Sequence, residues 1–191
     1  DETIGQADAQ NALTLQAAAT VDLAGGTLTI NGNINTNAAQ GAALWTPVVG
    51  TRILGGTLAL GSLQRVLDVP DRIELPYELE ITSNITGTGG FVTTNGGTIL
   101  LSGNNSGLSG DIVRNNGNFA LGSDTALGTG RAVLNGSVLA YGGKRTIATP
   151  LLFGANTIGF LGGNNTAGVG AIGGGGNDLE FSGPVNITAG S

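Results

Sequence analysis

The 191-residue chain has no cysteine, no histidine and no methionine, and only seven lysines and arginines. Each shortage removes a class of chemistry. Without His or Cys there is no Ser-His-Asp triad, no thiolate nucleophile, no His- or Cys-ligated zinc and no disulfide framework. Seven basic against thirteen acidic residues give a net charge of -6. Such a surface repels phosphate backbones and anionic lipid heads, so neither nucleic-acid binding nor peripheral membrane attachment is expected. No run approaches the ~18 uninterrupted apolar residues of a transmembrane helix, so no membrane insertion by this segment is expected. The start, Asp1-Glu2-Thr3, lacks the basic and apolar regions of a signal peptide. That leaves a protein that is not secreted, or one whose signal has been removed. Charged residues are also scarce, at 10% against 40% hydrophobic, which is unlike a disordered chain.

What is abundant is glycine, 36 residues, and it recurs in a pattern. Gly-Gly-Thr followed by an apolar residue begins at Gly25, Gly55 and Gly96. An apolar-x-apolar triplet follows each time: Leu28-Thr29-Ile30, Leu58-Ala59-Leu60 and Ile99-Leu100-Leu101. Similar triplets begin at Leu79, Phe119, Val138, Ile158 and Leu179. The successive intervals from Leu28 are 30, 21, 20, 20, 19, 20 and 21 residues. A second apolar patch shares the period at Phe91-Val92, Ile112-Val113, Val133-Leu134 and Leu151-Leu152. Asn84, Asn104, Asp124, Lys144 and Asn164 mark polar positions between. Asn, Asp and Gly tolerate the left-handed backbone of a sharp corner.

Alternation within each triplet is the period-2 mark of a strand with one face buried. The middle residues, Glu80 and Glu180 among them, are expected to point outward. Twenty residues cannot bury a core alone, but stacked neighbours at ~4.8 Å spacing can. The expected fold is therefore all-β: a right-handed parallel β-solenoid (β-helix) of about 20 residues per coil. About nine coils would make a rod on the order of 40–45 Å long. Helical repeats are disfavoured, because glycine costs ~1 kcal/mol per helical position.

Residues 1–27 keep poor register and read as an irregular N-terminal cap or first coil, with the solenoid over 28–191. The 30-residue interval places a loop insertion at about 35–47, carrying Trp45 and Pro47. The bland role for Trp45 is to cover a lateral face. Residues 65–80 are the most charged stretch, and Asp71, Glu74 and Glu80 are the carboxylates that acid–base glycoside hydrolysis would need. The competing reading is a solvated face. Ile73-Glu74-Leu75 and Tyr77-Glu78-Leu79-Glu80-Ile81 alternate, which turns the acids outward together. Lys144-Arg145 is the only basic pair.

Three weaker motifs complete the search. Gly168-Val169-Gly170-Ala171-Ile172-Gly173 fits a dinucleotide fingerprint, but the glycines that follow cannot open a helix. Gly173-Gly174-Gly175-Gly176-Asn177-Asp178 resembles one calcium-binding nonapeptide, without the tandem copies that supply 6–8 oxygens. The sequons at Asn84, Asn104, Asn135, Asn164 and Asn186 follow from composition.

Over residues 87–130 the chain resembles the autotransporter-associated β-strand repeat of bacterial passenger domains. The resemblance rests on Gly87-Thr88-Gly89-Gly90, on Gly97-Thr98-Ile99-Leu100-Leu101-Ser102-Gly103-Asn104-Asn105, and on Leu121-Gly122-Ser123-Asp124-Thr125-Ala126-Leu127-Gly128. Leu108 and Thr94 depart from it, standing where Tyr and Lys are common. It implies a right-handed β-helix exported to a Gram-negative cell surface, part of a longer parent, and it implies no activity.

The reading that results is a non-catalytic structural segment, a stalk, spacer or fibre element, located extracellularly or on the bacterial surface. No catalytic, cofactor-binding or metal-binding residue is assigned. Self-association or continuation into further coils is expected, because a chain stopping mid-coil at Ser191 looks like a fragment or a stacking unit. The alternatives are a polysaccharide-binding or polysaccharide-cleaving β-helix, and an adhesin using the 35–47 loop on a host-surface or glycan ligand.

Overall fold

The computed structural model describes residues 1–16, 18–37, 50–72, 75–154, 160–161 and 178–187. Those residues form strands and corners, with no helix among them. In chain order the strands are β1 (Glu2–Gln16), β2 (Thr20–Asp22), β3 (Thr27–Asn37), β4 (Thr51–Leu54), β5 (Thr57–Ala59) and β6 (Arg65–Asp68). There follow β7 (Leu79–Ile81), β8 (Asn84–Thr86), β9 (Phe91–Thr94), β10 (Thr98–Leu101), β11 (Ile112–Arg114), β12 (Asn118–Leu121) and β13 (Ala132–Leu134). The last are β14 (Ser137–Ala140), β15 (Arg145–Ile147), β16 (Leu151–Phe153), β17 (Phe160–Leu161), β18 (Leu179–Phe181) and β19 (Val185–Ile187).

Every pairing between these strands is parallel. One sheet runs β19-β16-β13-β11-β9-β6-β3-β5-β8, with β1 also on β3. A seven-stranded sheet runs β17-β14-β12-β10-β7-β4-β2, and β15 pairs with β18. Along the first sheet, eight strands from β1 through β3, β6, β9, β11, β13 and β16 to β19 lie side by side. The intervals between these described strands are not uniform. Thr51 pairs with Leu79, 28 positions on, and Leu151 with Val185, 34 positions on.

Between β7 and β14 the spacing is regular. Leu79 pairs with Ile99, Ile99 with Phe119 and Phe119 with Val138, all fully buried. The second apolar patch likewise stacks Phe91, Ile112, Ala132 and Leu151. Like side chains thus lie over one another at the ~4.8 Å strand spacing, and each layer's apolar face closes the next.

Two expectations need correction. The triplets do not form a single file. Leu28 pairs with Leu58, and Leu58 with Ile85, in the first sheet, whereas Leu79 lies in the second, over Thr51. The 21-residue step from Leu58 to Leu79 therefore joins two different faces. Each period carries more than one apolar-x-apolar strand, and the connection 69–78 happens to restore the spacing. Phe160, the third residue of its triplet, pairs with Val138 and so stays in the second sheet two residues out of step, whereas Leu179 pairs with Arg145 and leaves that sheet. The insertion expected at 35–47 starts later: Asn35–Asn37 complete β3, and Ile34 and Asn35 pair with Leu67 and Asp68. The remainder of that loop, with Trp45, lies outside the described residues.

Middle positions of the second sheet are also less exposed than expected. Leu100, Ala120 and Leu139 form a separate buried cluster with Tyr77 and Tyr141 against it. The two tyrosine rings meet edge to face at 6.2 Å.

Corners bring backbones close enough to require glycine. A Cβ on Gly110 would lie 2.0 Å from the Gly90 nitrogen, and one on Gly130 would lie 2.4 Å from the Gly110 oxygen. Gly110→Ala is expected to cost roughly 1–3 kcal/mol through overpacking alone, since its backbone needs no positive φ. Urea titration beside Gly25→Ala, whose Cβ meets nothing within 4 Å, separates crowding from the cost of the Gly25 φ of 85°.

Candidate functional site: a corner of buried charge

The densest charge lies where the connection 69–78 leaves β6 and enters β7. Val69 and Leu75 are buried there, while Pro70 and Pro76 withhold backbone donors. Val69 N–H donates to the Thr94 carbonyl and Gly97 N–H to the Val69 carbonyl, which ties the connection to the next layer.

Glu78, expected to face solvent with its neighbours, is only 4% exposed. Its Oε1 accepts the Arg72 N–H at 3.0 Å and its Oε2 the Thr98 N–H at 2.5 Å. Alternation misplaces it because it precedes the strand, where side-chain parity no longer applies. Burial pushes its carboxyl up to about 7, and the nearby charge of Asp71 adds to this against the two backbone donors.

Below this corner lies Arg114, fully buried at the inward position of β11. Its Nη2 donates to the Gly97 carbonyl, and its guanidinium carbon sits 5.0 Å from the Phe119 ring centroid. Among the described residues, Nε and Nη1 have no hydrogen-bond partner, nor has Oγ1 of Thr93, its buried register neighbour. Burial lowers the Arg114 pKa to about 10, opposed by the charge of Glu78. Gly117, with φ 81°, makes room for this side chain: a Cβ there would lie 2.0 Å from Nη2.

Outside Gly117 the corner opens into a groove of roughly 510 Å³, lined by Asn115, Asn116, Asn118, Asn135, Ser137 and the two glycines 117 and 136. On the layers before it, Asp68 accepts from Thr94 Oγ1 at 2.9 Å and from Asn95 Nδ2. Deeper in, Asn105 bridges three layers: its Oδ1 accepts the Ile85 N–H at 2.7 Å, and its Nδ2 donates to the Ala126 carbonyl at 2.8 Å.

Of the carboxylates considered for hydrolysis, Glu80 and Asp71 are described, and each has its own surroundings. Glu80 projects from the outer face of β7 but is only 8% exposed, and accepts from Arg52 Nε at 2.7 Å. Glu80 thus points outward, as the alternation gives, but it is mostly covered and paired with the more exposed Arg52, whose pKa the pair raises. Asp71 is exposed at the corner beside Gly96, and Glu74 lies outside the described residues. The carboxylate that Asp71 influences is Glu78, whose two oxygens already accept backbone donors.

The basic pair is likewise engaged. Lys144 Nζ contacts Glu180 Oε2 at 2.8 Å, lowering the Glu180 pKa, and Arg145 donates to the Tyr141 carbonyl through Nε and Nη2. Arg131 pairs with Asp111 one layer below at 2.7 Å, and Arg65 donates to the carbonyls of Leu60 and Asn31. Of the sequons, Asn84, Asn104 and Asn186 are exposed. The glycine motif at 168–173, the stretch 173–177 and Asn164 lie outside the described residues. No cluster of three acidic side chains placed to hold a metal ion occurs among the described residues.

The pH dependence of Glu78 follows directly. Its folded pKa lies above its unfolded one, so the folded state holds the proton more tightly. Stability is greatest below about pH 4.5 on this account, falls as pH rises to about 7, and is flat beyond. The loss is on the order of 3 kcal/mol at most. Glu78→Gln, which cannot ionise, should remove this slope while losing the one backbone hydrogen bond that its amide nitrogen cannot accept, read by urea unfolding at several pH values.

The arrangement is one of internal ties. Comparison with known proteins found no matching family model, no matching curated protein and no matching solved structure.

Proposed function

We propose that the chain is a non-catalytic structural segment, a stalk, spacer or fibre element, of a bacterial surface-displayed or secreted protein. In this reading it winds as a right-handed parallel β-solenoid, and its likeness to the autotransporter-associated repeat reflects common use as an export scaffold. The observation that supports it most is how the basic side chains are used. Arg52, Arg131 and Lys144 engage carboxylates within the chain, and Arg65, Arg114 and Arg145 engage carbonyls. A glycan-cleaving site needs a free acid or base beside its substrate. A spacer needs rung-to-rung ties instead.

Glycan binding or adhesion is the second reading, favoured by the amide-lined groove at Asn115–Asn118 and Asn135. The test is twofold. Antibody labelling of intact cells should find the protein outside, and purified protein should release no reducing ends across a polysaccharide panel. Cleavage that disappears in Glu80→Gln would overturn the structural reading.

A further inference from the structure

Four asparagines of the chain are followed by glycine: Asn31, Asn95, Asn116 and Asn135. Such a pair is chemically labile. The backbone nitrogen after the asparagine can attack the asparagine's own side-chain carbonyl carbon, and glycine sets no Cβ in the way. The fold treats the four differently. Asn31 lies inside β3, where its carbonyl accepts from Arg65 Nη1 and Gly32 is buried. Asn95 has a φ of 64°, and its Nδ2 is held by Asp68. Asn135 is half-buried, its Oδ1 so close to Gly154 that a Cβ there would lie 1.6 Å from it.

Asn116 is held in the opposite way. It is exposed and lines the amide-rich groove, and the Gly117 N–H donates to its Oδ1 at 2.9 Å. The nitrogen and the side-chain carbonyl are therefore already in contact, and a turn about the Cβ–Cγ bond presents Cγ to that nitrogen. Directly behind Gly117 stands the buried guanidinium of Arg114. Its charge favours the anion formed on the Gly117 nitrogen when the proton leaves.

We propose that Asn116 is a self-modifying site, converted by the backbone of Gly117 into aspartate and isoaspartate with water as the only co-reactant. The Gly117 N–H gives its proton to hydroxide, and the nitrogen bonds to Cγ of Asn116. The side-chain nitrogen leaves as ammonia, taking a proton from water, and a cyclic imide remains. Water then opens the imide. Breaking the bond from nitrogen to Cγ gives aspartate, and breaking the bond to the main-chain carbon gives isoaspartate. Nothing is oxidised or reduced.

The product changes the corner. A Cβ on Gly96 would lie 3.3 Å from Cβ of Asp71 and 4.0 Å from Nδ2 of Asn116, so the two side chains flank one glycine. The new carboxylate stands near Asp71 and repels it, while Arg114 attracts it from behind. Isoaspartate also adds a main-chain methylene beside Gly117, whose carbonyl accepts the Ser137 N–H at 3.2 Å. The conversion thus records the age of the molecule as negative charge in the groove.

The test is to age the folded protein in mildly alkaline buffer, digest it at acid pH and follow each asparagine by peptide mass spectrometry, with fragmentation that separates isoaspartate from aspartate. Asn116 should convert at least about tenfold faster than Asn31, Asn95 or Asn135, the advantage of a nitrogen held in contact over one that must first be released. Guanidinium chloride should accelerate those three and bring all four rates together. Arg114→Met should slow Asn116 by about threefold or more in the folded chain, with no change at Asn95 and none in denaturant. A folded chain in which Asn116 stays intact, or converts no faster than Asn95, would overturn the proposal. So would an acceleration of Asn116 on unfolding equal to that of the other three. An unchanged rate in folded Arg114→Met would overturn the part given to the guanidinium.

Discussion

Phe119→Ala should lower the unfolding free energy by about 3–5 kcal/mol, a large part of what a domain of this size has. Phe119 is fully buried between Ile99 and Val138 in the second sheet. Its ring also meets Phe91 edge to face at 6.4 Å, coupling that sheet to the first across the interior. Alanine would remove the ring from both contacts and leave a cavity whose walls, being strands fixed by their neighbours, can close only in part. It would also take away the aromatic face against Arg114, so the loss should exceed that of a similar truncation remote from this corner. Urea titration with an unchanged slope is the measurement, and a loss under about 1 kcal/mol would contradict the packing described.

Arg114→Met should act in the other direction, raising stability by about 1–4 kcal/mol. The native side chain is fully buried with Nε and Nη1 unpartnered, so its burial is poorly compensated. Methionine keeps most of the volume and removes the charge. Arg114→Ala should instead lose about 2–5 kcal/mol, because it also opens a cavity. The opposite signs separate the two contributions: if both variants lose stability equally, the guanidinium itself stabilises the corner. With the positive charge gone, Glu78 should titrate higher still, which extends the falling limb of the stability–pH profile.

The parts of this architecture that were legible in the sequence are those without interruptions. From Leu79 to Ala140 the period runs unbroken, and there the stacked residues can be read off by counting. Counting fails across 69–78, since a connection with two prolines resets the phase and lets Leu58 and Leu79 mimic consecutive layers of one face. Glu78 and Arg114 were missed for related reasons. Parity assigns inward and outward only inside a strand, and Glu78 stands one residue before β7. Arg114 does occupy an inward position, two after Ile112, so a signal existed in the pattern Ile-x-Arg beside Ala132-x-Leu134. Composition argues against it, because a buried arginine is uncommon, and only contacts with Phe119 and Gly97 reveal its accommodation. The outward cluster of Leu100, Ala120 and Leu139 was hidden because the tyrosines that pack on it come from corners, whose direction the sequence does not state.

The central claim is that layers about 20 residues apart lie directly over one another in parallel register. A chain without cysteine allows a clean test. Val113 and Val133 are register partners on the half-exposed side of β11 and β13, and Leu152 lies one layer further on. Adjacent parallel strands bring Cα atoms within the ~4.4–6.8 Å that a disulfide spans, whereas two layers apart they do not. Val113→Cys with Val133→Cys should oxidise rapidly to an intramolecular disulfide, and Val113→Cys with Leu152→Cys should stay reduced under the same mild oxidant. Equal oxidation of the two pairs, or none in the first, would contradict the stacked register.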